Sequence, residues 1–354
     1  MSSPRDGRPA ATIEPPEVDG ERAVLRLAVG DDAPRVASFR CRDGTLAANP
    51  DAAFAAALPI AMGLASSLAA PGGVSPRLLA AAGRIQELLA AWDPALAPVE
   101  LDVPAAAGRE PGRSRPNGGR DRPGSADRSA EAGTGERGTA CFFTGGVDSF
   151  YTVLTRRAEI DALVYVHGLD LPLAEERKNA LVSESLRRVA GELGLPLVEI
   201  ETDLRAVSDE ACGWELIYTS AALATVGHLL ADRFERVLIP ATHSLRDLHP
   251  IGSHPLLDPL YSSERLAIEH VDQVTRVDKL AYLAGSELAM ASLRVCFQPG
   301  HDGALNCGAC PKCQRTMTGL RVVGALGRCS TLPGELSLWE MSSGRVERPQ
   351  ALTY

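Results

Sequence analysis

The 354-residue chain lacks any long run of basic residues, and its 36 Lys and Arg against 45 Asp and Glu leave a net charge of −9. A protein whose main task is to grip nucleic acid needs the opposite balance, because phosphate contacts supply most of that affinity. Nucleic acid is therefore not an expected partner. The first residues, Met1-Ser2-Ser3-Pro4-Arg5-Asp6, hold no apolar stretch of signal-peptide type, which leads to the expectation of a cytoplasmic protein. No membrane span is expected either. The charge-free stretch 52–70 is mostly alanine and carries Pro59, Gly63, Ser66 and Ser67, so it reads as a buried helix. Eight cysteines in a chain this long, with no leader expected, point to thiols or a metal and away from a disulfide framework. The chain also lacks the N-terminal cysteine that a fused glutaminase of the asparagine-synthetase type uses as nucleophile. Any nitrogen donor, ammonia or an amine, would have to come from elsewhere.

The most informative stretch present is Cys141-Phe142-Phe143-Thr144-Gly145-Gly146-Val147-Asp148-Ser149-Phe150. An apolar run reads as a buried strand, two glycines supply a turn, and a helical pattern begins at Ser149. Free N–H groups at a helix start carry partial positive charge, and glycines without Cβ let a phosphate approach them closely. Thr144 and Ser149 add hydroxyl donors, and Asp148 adds a carboxylate able to hold Mg²⁺ against the same phosphates. No Gly-Lys-Ser/Thr follows, so this is not the phosphate loop of kinases and GTPases.

Around this loop the chain divides by composition. Residues 1–20 are rich in Pro, Gly and charge and read as disordered. Residues 21–104 read as a small α+β domain of unknown role: a hairpin from 23–29 and 35–40, helices opening at Asn49-Pro50 and Ser75-Pro76, and a strand at 98–103. Residues 105–138, dominated by Gly, Pro, Ser, Ala and Arg, read as a flexible linker. From 139 to 330 strands at 140–144, 162–167, 197–201 and 236–239 alternate with helices at 149–158, 174–193 and 214–232. A tail, 331–354, closes the chain. The alternation implies an α/β fold, a Rossmann-like parallel sheet with helices on both faces and ligands at the carboxyl ends of its strands. His243, with Thr242, Ser244, Arg246 and Asp247, follows the fourth of those strands and faces the expected phosphate site. The stretch 245–263 has no periodicity and is a candidate substrate lid. Thr275-Arg276-Val277-Asp278-Lys279 has the form of a capping box.

Cys296, Cys307, Cys310 and Cys313 form a second motif, Cys-x-x-Cys-x-x-Cys preceded by a fourth cysteine at the end of an expected strand, 292–297. Four thiolates converging on one point make a closed tetrahedral Zn²⁺ site, a zinc knuckle that pins the C-terminal segment. Cys141, Cys212 and Cys329 are left as ordinary thiols.

The Thr-Gly-Gly-x-Asp-Ser loop resembles the Ser-Gly-Gly-x-Asp-Ser loop of the ATP pyrophosphatases, with Thr144 in place of the first serine. Paired with the cysteine knuckle, it is most similar to that of the 7-cyano-7-deazaguanine synthase family, over residues 139–330. The resemblance implies an adenine nucleotide alpha hydrolase type of fold, with ATP held at Thr144, Gly145, Gly146, Val147, Asp148 and Ser149 and adenine near Val166, Gly168 and Leu169. It also implies Lys279 approaching phosphate. The reaction it implies is adenylation of a carboxylate or amide oxygen of a small molecule for attack by ammonia or an amine, with Asp148, Ser149, His243 and Lys279 as the catalytic group. Where substrate is chosen the sequence departs from that family, with Trp214-Glu215-Leu216-Ile217-Tyr218 and Ser253-His254-Pro255 in place of the expected segments, so the acceptor is left open. A homo-oligomer is compatible with the sequence. Two other readings remain at this point: a sulfur-transfer enzyme whose cysteines hold an iron–sulfur cluster, and a non-catalytic ATP-binding sensor or assembly protein.

Overall fold

A computed structural model of the chain describes residues 7–106, 137–298 and 303–336. In chain order the elements are β1 (Ala10–Ile13), β2 (Glu17–Asp19), β3 (Arg22–Val29), β4 (Arg35–Cys41), α1 (Pro50–Leu64), β5 (Ser67–Ala69), α2 (Pro76–Trp92) and β6 (Glu100–Asp102). There follow β7 (Gly138–Phe142), α3 (Val147–Thr155), β8 (Ala162–His167), α4 (Glu176–Leu193), β9 (Leu197–Thr202), α5 (Leu204–Ser208) and α6 (Thr219–Leu229). The last are β10 (Phe234–Pro240), β11 (Ala267–Val271), α7 (Arg276–Leu283), α8 (Glu287–Ser292) and α9 (Pro311–Val322).

All the described strands join one mixed sheet in the order β11-β10-β7-β8-β9-β4-β3-β1-β5-β6, with β2 paired to β3. The five strands from β11 to β9 are mutually parallel. They form the α/β unit expected from the alternating pattern, and their side chains alternate between two cores. Val164 and Val166 of β8 face Phe54, Leu58, Ile85 and Val226 from α1, α2 and α6. Leu163 and Tyr165 face Phe150, Val182, Leu186, Leu280 and Leu320 from α3, α4, α7 and α9. Burial on both faces explains why these strands read as continuous apolar runs.

The segment expected as a separate small domain shares this sheet. β4 runs antiparallel to β9, with Phe39 opposite Thr202 and Cys41 opposite Ile200. Helix α1, nearly all buried, lies against α6, and its small alanines let the Tyr218 hydroxyl reach the Ala56 carbonyl at 2.9 Å. Of the expected linker, residues 107–136 lie outside the described residues.

Three expectations are corrected. Residues 10–13 and 17–19 of the segment read as disordered are strands, because β1 finds β3 on one side and β5 on the other. The strand expected at 292–297 does not form. Asn306 Oδ1 takes the N–H groups of Val295 and Cys296, and its amide donates to the Leu293 carbonyl, so side-chain bonds replace ladder bonds. The stretch 245–263 read as a lid ends just before β11, and its second half is tied down: buried Asp258 accepts from the Ser220 hydroxyl, Ser253 Oγ at 2.8 Å, the His254 N–H at 3.1 Å and His270 Nδ1 at 2.7 Å. No helix among the described residues is long and apolar enough to cross a membrane.

Candidate functional site

The glycine loop leaves the carboxyl end of β7 and turns into α3. Gly145 has φ +73°, a left-handed conformation that L side chains resist, and a Cβ there would stand 3.0 Å from Leu186 Cδ2. At Gly146 a Cβ would meet Thr144 Oγ1 at 3.3 Å and the Arg294 carbonyl at 3.5 Å. Gly145 is thus favoured by its left-handed backbone, whereas Gly146, at φ −81°, would need its neighbours to give only slightly for a Cβ. Gly146 is the N-cap of α3 and offers no side-chain cap, which leaves the first-turn N–H groups to other acceptors. Ser149 is turned inward, donating to the Gly146 carbonyl at 3.2 Å and accepting from the Thr144 N–H at 3.3 Å. It braces the loop.

Asp148 is met from α7. The capping box forms as expected, with Thr275 Oγ1 accepting from the Asp278 N–H, and it aims the first turn of α7 at the loop. Lys279 is fully buried, and its Nζ donates to Asp148 Oδ1 at 2.9 Å and to the Ala241 carbonyl at 2.5 Å. Arg276 Nη1 lies 3.5 Å from Asp148 Oδ2. Asp148 and Lys279, expected separately at the site, are therefore brought together, and so is His243, which feels the charges of Asp148, Lys279 and Arg315. Burial, followed by His249, Arg315 and Lys279, pushes His243 down to about 4 against the opposing pull of Asp148, so at neutral pH its ring is uncharged. Its ring stacks edge-on to His249 with centroids 4.4 Å apart. Thr242 and Arg246 are exposed to solvent, and Ser244 Oγ donates to Asp247 at 2.6 Å.

At the end of β8, Val166 and Leu169 are buried and Gly168 has φ +94°. A Cβ on Gly168 would fall 1.8 Å from the Thr202 carbonyl, so packing against β9 by itself demands glycine here. The Leu169 carbonyl accepts from Arg205 Nη1 at 3.0 Å.

The four cysteines converge. Their sulfurs all lie within 4.8 Å of one another, with Cys307 to Cys313 at 3.8 Å and Cys296 to Cys310 at 3.9 Å. A tetrahedron of sulfurs about 2.3 Å from one ion has edges of about 3.8 Å, so the donor set fits a single metal ion such as zinc. Backbone N–H groups of Gln298, Cys310 and Cys313 point at three of the sulfurs, a pattern that stabilises thiolates. Gly308 at φ +76° supplies the knuckle turn.

Sequence reasoning did not single out the rest of the cationic ring around the loop. Arg294 donates its backbone N–H to the Gly145 carbonyl at 2.8 Å and Nη1 to the Thr144 carbonyl at 3.3 Å. Lys312 and Arg315 arrive on the first turns of α9, which the knuckle starts: Cys310 is its N-cap and accepts from the Cys313 N–H. Arg276 donates to Thr316 on the same helix at 3.4 Å. The available signal was one charged residue inside Leu293-Arg294-Val295-Cys296, an otherwise apolar run. Five cations, Arg276, Lys279, Arg294, Lys312 and Arg315, thus gather at a glycine turn, with Asp148, Asp170 and Glu215 the acids that act on them. Such an arrangement is suited chemically to holding a polyanion in a partly dry site. Searches of the chain against models of known protein families, curated proteins and solved structures return no match.

Proposed function

We propose that the chain is an ATP-dependent ligase of the ATP-pyrophosphatase type, acting on a small molecule. The observation that carries this reading is the loop Thr144–Ser149, a strand–glycine–helix turn whose first helical N–H groups open beside Lys279 and Arg276. In the proposed reaction an acceptor oxygen forms a bond to the α-phosphorus of ATP while the bond from that phosphorus to the β-phosphate oxygen breaks, releasing pyrophosphate. Ammonia or an amine then attacks the acyl carbon, and AMP leaves with its bonding electrons. The loop N–H groups, Lys279 and Arg276 meet the charge that grows on the departing pyrophosphate. Asp148 holds Lys279 in place and is the ligand offered to Mg²⁺.

His243, uncharged at neutral pH, accepts a proton poorly amid Lys279 and Arg315 and serves better as a neutral hydrogen-bonding group beside the acceptor. Zinc is the ion proposed at the cysteines, in a closed structural role, since a four-iron cluster would hold its cysteine sulfurs apart on separate corners. The test is pyrophosphate release from ATP-Mg²⁺ with a panel of carboxylates, carboxylated deazaguanine included. Release that depends on an acid supports the reading; ATP binding with no release from any acid favours a binding protein.

A further inference from the structure

Arg294 is the bulkiest fully buried side chain among the described residues, and it joins two sites. On one side its backbone N–H holds the Gly145 carbonyl at 2.8 Å and its Nη1 the Thr144 carbonyl at 3.3 Å. On the other, two residues along the chain, stands Cys296, one of the four converging thiols. Buried Asn306, which precedes the second thiol, Cys307, fixes the stretch between. Its Oδ1 accepts from the N–H groups of Val295 at 2.8 Å and Cys296 at 3.2 Å, and its Nδ2 donates to the carbonyls of Leu293 at 2.8 Å and Thr331 at 3.1 Å. Both donors and both acceptor positions of the amide are thus used. A second arm runs from the knuckle through α9, which Cys310 caps. Gly319 of α9 packs so closely on Leu280 of α7 that a Cβ there would collide with it, and α7 carries Arg276 and Lys279 to the loop.

We propose that the cysteine knuckle and the glycine loop are one coupled unit, with Asn306 as the positioning residue: metal at the four thiolates sets Arg294 against Thr144 and Gly145, and through them the loop's affinity for phosphate. This rests on the zinc and phosphate readings above and not on adenylation. The metal and the Asn306 amide tie the same two stretches of chain, 293–296 and 306–307, so they restrain the same motion. Closing the chain between Cys296 and Cys307 costs loop entropy, which the metal bonds offset; without them the four Asn306 hydrogen bonds carry that cost alone. A shift of 293–296 withdraws the two donors from the loop carbonyls, because Arg294 is packed too tightly to swing back independently. Coupling of this kind changes affinity by about 5–150-fold, and it acts equally in both directions.

The test compares the full-length chain loaded with zinc and the same chain stripped by a chelator, kept reduced and returned to excess Mg²⁺. Calorimetric titration with the non-hydrolysable analogue α,β-methylene-ATP should give an affinity at least about tenfold weaker without zinc, and chelator competition should find zinc held tighter by the same factor when the analogue is present. In hydrogen exchange the amides of 140–150 and 293–296 should lose protection on stripping while those of α1 and β8 keep theirs. Asn306→Ala retains all four cysteines and touches no loop atom. Loaded with zinc, it should bind the analogue like stripped wild type, and removing its zinc should change that affinity by less than about twofold. A merely destabilising substitution would leave the response to zinc in place.

Equal analogue affinity with and without zinc overturns the inference, as does an Asn306→Ala chain that responds to zinc as wild type does. Loss of the whole circular dichroism spectrum on stripping also overturns it, since the metal would then hold the entire fold and no particular route to the loop. Should Asn306→Ala not fold, the loaded and stripped wild type decide. If the analogue binds neither form, the nucleotide reading fails, and hydrogen exchange still decides the link: zinc-dependent protection at 140–150 sustains it, and its absence overturns it.

Discussion

Glu199→Gln tests how the two halves of the sheet are held together. Glu199, on β9, is completely buried, and burial alone would raise its pKa. His167 Nε2 at 2.9 Å, the Ser183 hydroxyl and Arg187 Nε at 2.7 Å more than reverse that effect and hold it at about 2, against 4.5 for an ordinary glutamate. Arg42, which follows β4 in the N-terminal half, adds Nη1 at 3.5 Å. The depressed pKa corresponds to about 3 kcal/mol of stability. That contribution is fully present above about pH 4.5 and is lost as the pH falls toward 2. Glu199→Gln should therefore lower the unfolding free energy by about 3 kcal/mol at pH 7, a drop in Tm of roughly 5–10 °C. The gap between variant and wild type should close as the pH is lowered from about 4.5 toward 2. Urea denaturation of both proteins across that range, followed by circular dichroism, measures it. Acid loss of a knuckle metal affects both alike and cancels in the difference. A variant within about 0.5 kcal/mol of wild type at pH 7, or a gap that does not narrow in acid, would refute the reasoning.

Gly145→Ala forces an L side chain to φ +73° and its Cβ against Leu186, so it should cost about 1–2 kcal/mol and weaken ATP binding, read by thermal unfolding and by nucleotide titration. Asp148→Asn leaves the backbone of the loop intact but frees Lys279 and Arg276 from their acid; turnover should fall by at least about 100-fold with the circular dichroism spectrum unchanged. Cys313→Ala should lower bound zinc from about one ion per chain to a trace by elemental analysis and lower Tm, whereas iron and visible absorbance in the wild type would overturn the zinc assignment.

What the sequence alone disclosed was local. The hairpin 23–40, the caps at Asn49 and Thr275 and the four strands 138–142, 162–167, 197–202 and 234–240 are set by apolar runs, turn glycines and capping hydroxyls within a few residues of one another. The glycine loop and the cysteine spacing are local as well, which is why Thr144–Ser149 and the four cysteines were legible. The strands β1, β2 and β5 were not, since Ala10-Ala11-Thr12-Ile13 becomes a strand only between β3 and β5, Glu17-Val18-Asp19 only against β3, and Ser67-Leu68-Ala69 only between β1 and β6. Equally hidden was the antiparallel contact of β4 with β9, a tertiary event about 160 residues apart in sequence. The helix expected from 214 opens instead as a wider π turn, because Thr219 Oγ1 takes the Trp214 carbonyl and Gly252 takes that of Glu215. Arg294, Lys312 and Arg315 escaped notice for the same reason: each is a lone cation in sequence, and only the knuckle and α9 bring them to the loop.

The central claim, that the loop binds ATP for adenylation, is tested most directly by incubating the chain with ATP-Mg²⁺ labelled in the α-phosphate, with and without each acid of the panel, beside Asp148→Asn. The account predicts pyrophosphate and labelled AMP in equal amounts, dependent on one class of carboxylate and on a nitrogen donor, and absent from Asp148→Asn. ADP and phosphate as products, or equal turnover by Asp148→Asn, would contradict it.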